Sequence, residues 1–420
     1  MRKLNRAIII VMALAILPGT IAILAADWPQ WRGPGRDGIS AEVGLLDEWP
    51  KEGPKLLWQV KSVGGGYSTP AVQGDRLYLL GNEGLENESV KALGVKDGKE
   101  IWSVRIGKVG NPDQRPQYPA ARSTPTVEGE VLHALGSDGD LVCLETAAGK
   151  ERWRKSLRTD FGGKPGMWAY AESPLVDGDV LVVTPGGAEA TIVALRKSSG
   201  DVIWKSAVPG GDEAGYASAI IVEAGGVKQY VQFLQKGLVG VDAKTGKFLW
   251  RYEKTAQGSP ANIPTPIAHD GHVYSATGRS GGGLVRLKVG EGSITAEEVY
   301  FSKKLPTSIG GAVKLGEYLY GTTGQAAICV QFTTGEVKWE ERGVGPGSLC
   351  FADGRIYIHG EDGEVALIEP SPEGYREKGR FTPSDQPDRG RSKAWAYPVV
   401  ANGRLFIRDL DRLWCYDVKE

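Results

Sequence analysis

The chain has 420 residues, 50 Lys and Arg against 51 Asp and Glu, 41% hydrophobic and 24% charged residues, and it is rich in Gly (59) and Trp (12). That composition supports a large core and excludes a disordered tail, and the balanced charge offers no basic field to attract nucleic acid or anionic lipid. One Gly in about seven residues implies many tight turns, which excludes helical solenoids and coiled coils.

Arg2, Lys3 and Arg6 precede an apolar run over residues 7–17, Pro18-Gly19 interrupts it, and a second apolar stretch ends at Leu24-Ala25-Ala26. This order is that of a secretory signal, with cleavage expected after Ala26 and an uncleaved anchor as the alternative. The first cysteine is Cys143, so no N-terminal cysteine is available for lipid attachment. The expected division is a signal over 1–26, an arm over 27–55 and one domain over 56–420. Removing the signal takes three basic side chains and no acidic one, leaving a mildly acidic protein in the periplasm or cell envelope. Membrane contact is expected only through the N-terminal segment, if it is retained.

From there one unit recurs. A short apolar run, a Gly turn and a second run are followed by a third run, another Gly turn and a Trp. Trp102, Trp153, Trp204, Trp250 and Trp339 each stand four residues after a Gly, and a stretched copy carries Gly292 and Tyr300. The first turn occurs eight times, at Gly74, Gly129, Gly178, Gly225, Gly271, Gly316, Gly354 and Gly403. Apolar runs around Gly-Asp, Asp-Gly or Asn-Gly are hairpin signals, so each unit reads as a four-stranded antiparallel meander, strands a to d. Such units cannot bury both faces alone and pack radially, which predicts an all-β, eight-bladed propeller; seven blades with a stray strand is the alternative. The last unit stops after strand c, while Trp58 lies in an orphan strand near the N-terminus. Pairing that strand with the last blade closes the ring and removes two open edges. The repeated Trp are expected to pack over a neighbouring blade's Gly turn. Cys143, Cys329 and Cys415 fall at the strand-c position that Ala92, Ala194, Gly240 and Ala366 hold elsewhere, and read as small buried residues, as does Cys350 on strand a.

The repeat, above all the GVDAKTGKFLW segment ending at Trp250, resembles the tryptophan-docking motif of the quinoprotein dehydrogenase-like propellers. This PQQ-repeat family includes pyrroloquinoline quinone (PQQ) alcohol dehydrogenases and BamB-like assembly factors. The resemblance covers about residues 56–420 and implies the fold better than the function. Family dehydrogenases hold PQQ beside a calcium ion bound by Glu, Asn and a base Asp, under a disulfide of adjacent cysteines. Only Glu189, in Gly187-Ala188-Glu189, is similar to that set. The next loops, Phe233–Gly237 and Thr277–Gly281, supply neither Asn nor Asp, and no Cys-Cys pair exists. A lone Glu cannot assemble a calcium–quinone site, so no cofactor, metal or catalytic residue is expected, with PQQ and calcium as the alternative. His269 and His272 flank a hairpin turn and read as a solvated tip.

Segments leading into strand a surround the channel mouth on one face. They bring Tyr67, Tyr118, Arg122, Trp168, Tyr170, Glu172, Tyr216, Asn262, Arg389, Arg391, Trp395 and Tyr397 into one candidate face for a protein or small ligand. The other reading of these residues is filler for a tapering channel. The basic loop 389–393 is the exposed candidate within that set. The function expected is a non-catalytic binding or assembly scaffold of the bacterial envelope, with a PQQ-dependent alcohol or sugar dehydrogenase as the alternative.

Overall fold

The structure, a computed structural model, describes residues 26–111, 120–290 and 292–420. The proposed signal lies outside these, apart from Ala26. Eight four-stranded antiparallel sheets form the blades, over residues 71–107, 126–156, 175–206, 220–252, 267–302, 312–341, 347–381 and 399–417, the last completed by the strand Lys55–Val60. Among the described residues the only helical element is the single turn Lys254–Ala256, and no helix is long and apolar enough to cross a membrane.

The ring closes as the missing eighth outer strand requires. Lys55 pairs with Asp417, Trp58 with Cys415 and Val60 with Leu413, with a bulge between Leu56 and Trp58. Two chain ends that would each leave an open edge thus satisfy one another.

Adjacent blades are locked by the repeated indoles. Trp58, Trp102, Trp153, Trp204 and Trp339 donate their ring N–H to Val95, Thr146, Lys197, Ala243 and Ser371 of the next blade, at 2.7–3.1 Å. Tyr300 does the same to the Phe332 carbonyl at 2.8 Å. The docked ring covers the next turn glycine: a Cβ on Gly246 would lie 2.5 Å from Trp204, and Gly246 has φ +73°, which an L-residue rarely adopts. Trp250 departs from the rule and donates instead to Gln229 Oε1 of its own blade at 2.7 Å. The next blade explains this. Its strands Gly281–Gly290 and Ser293–Ser302 are lengthened, so its turn glycine Gly292 has no atom within 4 Å.

The strand-c cysteines each face an outer-strand Trp, Cys143 opposite Trp153, Cys329 opposite Trp339 and Cys415 opposite Trp58. Ala92, Ala194 and Gly240 face Trp102, Trp204 and Trp250 in the same way. A bulky side chain there would collide with the indole. All four cysteines are buried and free of disulfides.

The arm runs across the channel rather than beside the propeller. Trp28 exchanges backbone bonds with Val72, Pro29 accepts from Val127 N, and Gly38 and Ser40 pair with Phe351. Arg36 donates to the Ser173 and Pro174 carbonyls, Trp31 to Thr265 Oγ1, Arg32 to the Ala312 carbonyl and Ser40 to the Val400 carbonyl. These partners lie on or just before strand a of blades 1, 2, 3, 5, 6, 7 and 8. Glu42 finishes the course, accepting from Ala26 N and from Asn402 N and Gly403 N in the last blade.

Candidate functional site

On one face of the ring the connectors that lead into strand a leave a cup of about 230 Å³. A simple register sets its wall. Tyr67, Arg122, Ala171, Ile263 and Trp395 all line it, and each stands three residues before a proline, at 70, 125, 174, 266 and 398. Proline fixes φ and biases the residue before it to an extended backbone, so these five connectors enter their blades with the same twist and present the equivalent side chain inward. Trp168, Tyr216, Ala261, Ile309 and Tyr397 fill the gaps, and Trp31 of the arm provides the floor.

The aromatic side chains brace one another. Trp31 meets Tyr397 edge-on at 4.6 Å between centroids, Tyr67 meets Trp395 at 5.0 Å and Trp168 meets Tyr216 at 5.9 Å. Tyr216 Oη accepts from Trp168 N, and Tyr397 Oη donates to the Ile309 carbonyl at 3.1 Å. Among the described lining residues the one cation is Arg122, whose guanidinium donates to the Ala120 carbonyl at 2.9 Å and lies 5.9 Å from the Tyr67 ring centre. Burial pulls its pKa below the ordinary arginine value, opposed by Tyr67, Glu88 and Tyr216.

Behind the wall sit two buried carboxylates. Glu172 accepts from Thr184 Oγ1 at 2.7 Å, Gln232 Nε2 at 2.9 Å and Thr184 N, and burial pushes it up to about 7 against the charge of Arg36. Glu88 accepts from the backbone and side chain of Ser137 and is likewise pushed up to about 7 by burial. Both acids tie connectors and loops of adjacent blades together.

The sequence-predicted face therefore divides. Tyr67, Arg122, Trp168, Tyr216, Trp395 and Tyr397 are brought together in the cup. Tyr170 turns into the core beside Leu135 and Leu181 and donates to the Pro185 carbonyl. Asn262 is buried, its side-chain amide N–H on the Leu234 and Gln235 carbonyls and its backbone carbonyl accepting from Tyr216 N and Ala217 N, so it holds the wall without lining it. Arg389 folds onto buried Asp409 and Lys393 onto Asp362, which leaves Arg391 as the exposed charge of the basic loop. Glu189 is exposed in the turn bounded by Gly187 and Ala190, away from the cup. Tyr118 lies outside the described residues. His272 Nδ1 contacts the Asp270 carbonyl at the hairpin tip, and no group of three His, Cys, Asp or Glu that could hold a metal occurs among the described residues.

Sequence reasoning missed Trp31, Ala171, Ala261, Ile263 and Ile309. The proline register carries the signal for Ala171 and Ile263. Nothing in the repeat pattern signals Trp31, because the arm lies outside it.

The family model for outer membrane protein assembly factor BamB, a PQQ-repeat model, matches residues 86–341. The chain is 22% identical to outer membrane protein assembly factor BamB of Burkholderia pseudomallei, over 64% of this chain and 66% of that protein. It is 27% identical to the Xanthomonas campestris BamB over 37% of this chain and 33% of the other, and 24% identical to a quinoprotein alcohol dehydrogenase of Pseudomonas putida over 68% and 44%. The chain thus spans between a third and just under two thirds of the length of these relatives. Among solved structures it is similar to BamB from Moraxella catarrhalis, with TM-score 0.60 and 18% identity over 87% of this chain and 98% of that one. A quinohemoprotein alcohol dehydrogenase from Pseudomonas putida gives TM-score 0.61 and 12% identity over 93% and 80%. At those identities the structures speak for the fold alone. The family match takes in more than half of the residues, and the chain belongs to the PQQ-repeat propeller family of outer membrane protein assembly factor BamB.

Proposed function

We propose that the protein is an exported, non-catalytic scaffold of the bacterial cell envelope that binds a protein or small ligand at the channel mouth. The observation that carries this reading is the makeup of the cup: among the described residues its lining has six aromatic side chains and one arginine, and no carboxylate, imidazole, thiol or amine. Aromatics with Arg are the residues that dominate binding energy at recognition sites. General-base or nucleophilic chemistry needs a group of the missing kinds within hydrogen-bond reach. The similarity to proteins named as outer membrane assembly factors supports an assembly role in the envelope. Nucleic acid is not an expected partner, given the net charge of −1.

The second reading, a PQQ-dependent alcohol or sugar dehydrogenase, is favoured by the similarity to a quinoprotein alcohol dehydrogenase. The residues present do not fit that group. Calcium takes several oxygen ligands, and the described lining residues of the cup offer neither carboxylate nor side-chain amide. PQQ is a tricarboxylate, and one buried guanidinium is poor compensation for it. Titration of purified protein with PQQ and calcium separates the two readings. The scaffold reading expects no stoichiometric quinone spectrum and no dye-linked alcohol oxidation; both appearing together overturn it.

A further inference from the structure

Buried carboxylates in this fold are compensated in two ways. Asp212 and Asp409 pair with arginines, Arg251 and Arg389. Glu88 and Glu172 sit among neutral donors, and burial drives both towards the neutral form. Glu42 differs in its donors. It is 7% exposed and gathers three backbone N–H groups, those of Ala26, of Asn402 at 2.7 Å and of Gly403 at 2.9 Å. No Lys or Arg among the described residues forms an ion pair with it.

Glu42 stands at the seam where the ring closes. Asn402 and Gly403 lie in the turn between the first two strands of blade 8. Asn402 Nδ2 donates to the Gly74 carbonyl of blade 1 at 3.1 Å, and Gly74 N donates to Asp27 Oδ1 at 2.8 Å. Trp28 then exchanges backbone bonds with Val72. The chain is thus held in the seam from Ala26 onward, and the atom that meets Glu42 is a main-chain nitrogen where the leader is expected to end.

We propose that the leader is cut between Ala25 and Ala26, and that the α-ammonium so formed docks on Glu42 as an internal ion pair that seals the seam between blades 8 and 1. The inference rests on the reading of the protein as exported, and adds where the leader ends and what the new terminus does.

The chemistry is peptide hydrolysis by the peptidase that removes an export leader. One water is consumed as the Ala25–Ala26 amide breaks; Ala25 leaves as a carboxylate and Ala26 N becomes an ammonium at neutral pH, its ordinary pKa being about 8. A retained leader offers Glu42 a neutral amide N–H at that atom, whereas the cut chain offers a cation. A charge-assisted bond is roughly twice as strong as a neutral one, and a carboxylate out of water gains most from it. A cut after Ala26 discards the nitrogen that Glu42 holds. The leader itself does not separate the two cuts, because alanine stands at −1 in both and the −3 residue is Ile23 or Leu24.

The test takes the protein made with its own leader, fractionates the cells and reads the N-terminus by mass. Modification of the N-terminal peptide by an amine-reactive reagent is then followed against pH. The expected terminus is Ala26, with half-maximal modification at a higher pH in the folded protein than in urea. Glu42→Gln should react about tenfold faster than the parent at pH 7, the factor that about one pKa unit confers, and at the same pH midpoint as the unfolded chain. A terminus at Asp27 or Met1, or one midpoint for folded and unfolded parent, overturns the proposal. The folded and unfolded parent decide even where Glu42→Gln fails to fold. Absence from the envelope fraction overturns the export reading, whereas an envelope protein with another terminus overturns this inference alone.

Discussion

Replacing Trp204 with Ala tests the inter-blade lock. The indole is 9% exposed, donates to the Ala243 carbonyl at 3.1 Å, stacks on Tyr230 at 6.1 Å and covers Gly246. A Trp of this kind buries about 150–250 Å², and at about 25 cal/mol per Å² that is roughly 4–6 kcal/mol, close to the ~3–5 kcal/mol that core Trp→Ala changes cost. The lost hydrogen bond falls within that range rather than on top of it. Trp204→Phe keeps most of the area and should lose only about 1–2 kcal/mol. Gly246→Ala attacks the same contact from the other side, since its Cβ would lie 2.5 Å from the indole at a φ of +73°. It should cost at least the ~1–2 kcal/mol of left-handed backbone, and more as the ring is displaced. Urea unfolding at constant m-value reads all three. A loss below about 1 kcal/mol for Trp204→Ala and Gly246→Ala together would refute the claim that the docked indole holds neighbouring blades.

Glu88, pushed up to about 7 by burial, binds its proton more tightly folded than unfolded. Its contribution is therefore full below its ordinary pKa of about 4.5 and declines as pH rises towards 7. Arg122 and Asp140 are the charges that act on it. Glu88→Gln should be near neutral at pH 5 and stabilising by about 1–3 kcal/mol at pH 8; a variant that is less stable at pH 8 than at pH 5, relative to the parent, contradicts this. Glu42→Ala removes the carboxylate that gathers Ala26, Asn402 and Gly403, so the arm should become cleavable by protease at concentrations that leave the parent intact. The four cysteines should not react with a thiol reagent before unfolding, because they are buried and burial pushes Cys143 and Cys329 up to about 11. Any stoichiometric native-state labelling contradicts that.

The fold was legible because its signal is local and repeated. A Gly four residues before a Trp reports a turn and the ring that covers the turn of the next blade, and the missing last strand pointed to Trp58 as its replacement. Trp250 shows the limit: its spacing matches the others, yet its partner Gln229 is selected by the lengthened hairpin next door. The site was half legible. Aromatic richness located the connectors, but which side chain faces inward depends on register against the prolines, so Tyr170 and Asn262 were chosen where Ala171 and Ile263 line the wall. Long-range pairing hid the rest. Arg389 and Lys393 read as a basic loop until Asp409 and Asp362, 20 and 31 residues away, are found against them. The course of the arm leaves no periodic trace at all, and it supplies the floor.

The measurement that bears most directly on the central claim is site-specific photocrosslinking in intact envelopes. A photoreactive residue at exposed Met167, beside Trp168 at the mouth, is compared with one at Val337 on an outer strand. The account predicts a discrete crosslinked species from position 167 and none from 337. Crosslinks from the outer strand alone, or none from the mouth, would contradict a scaffold that binds at the channel face.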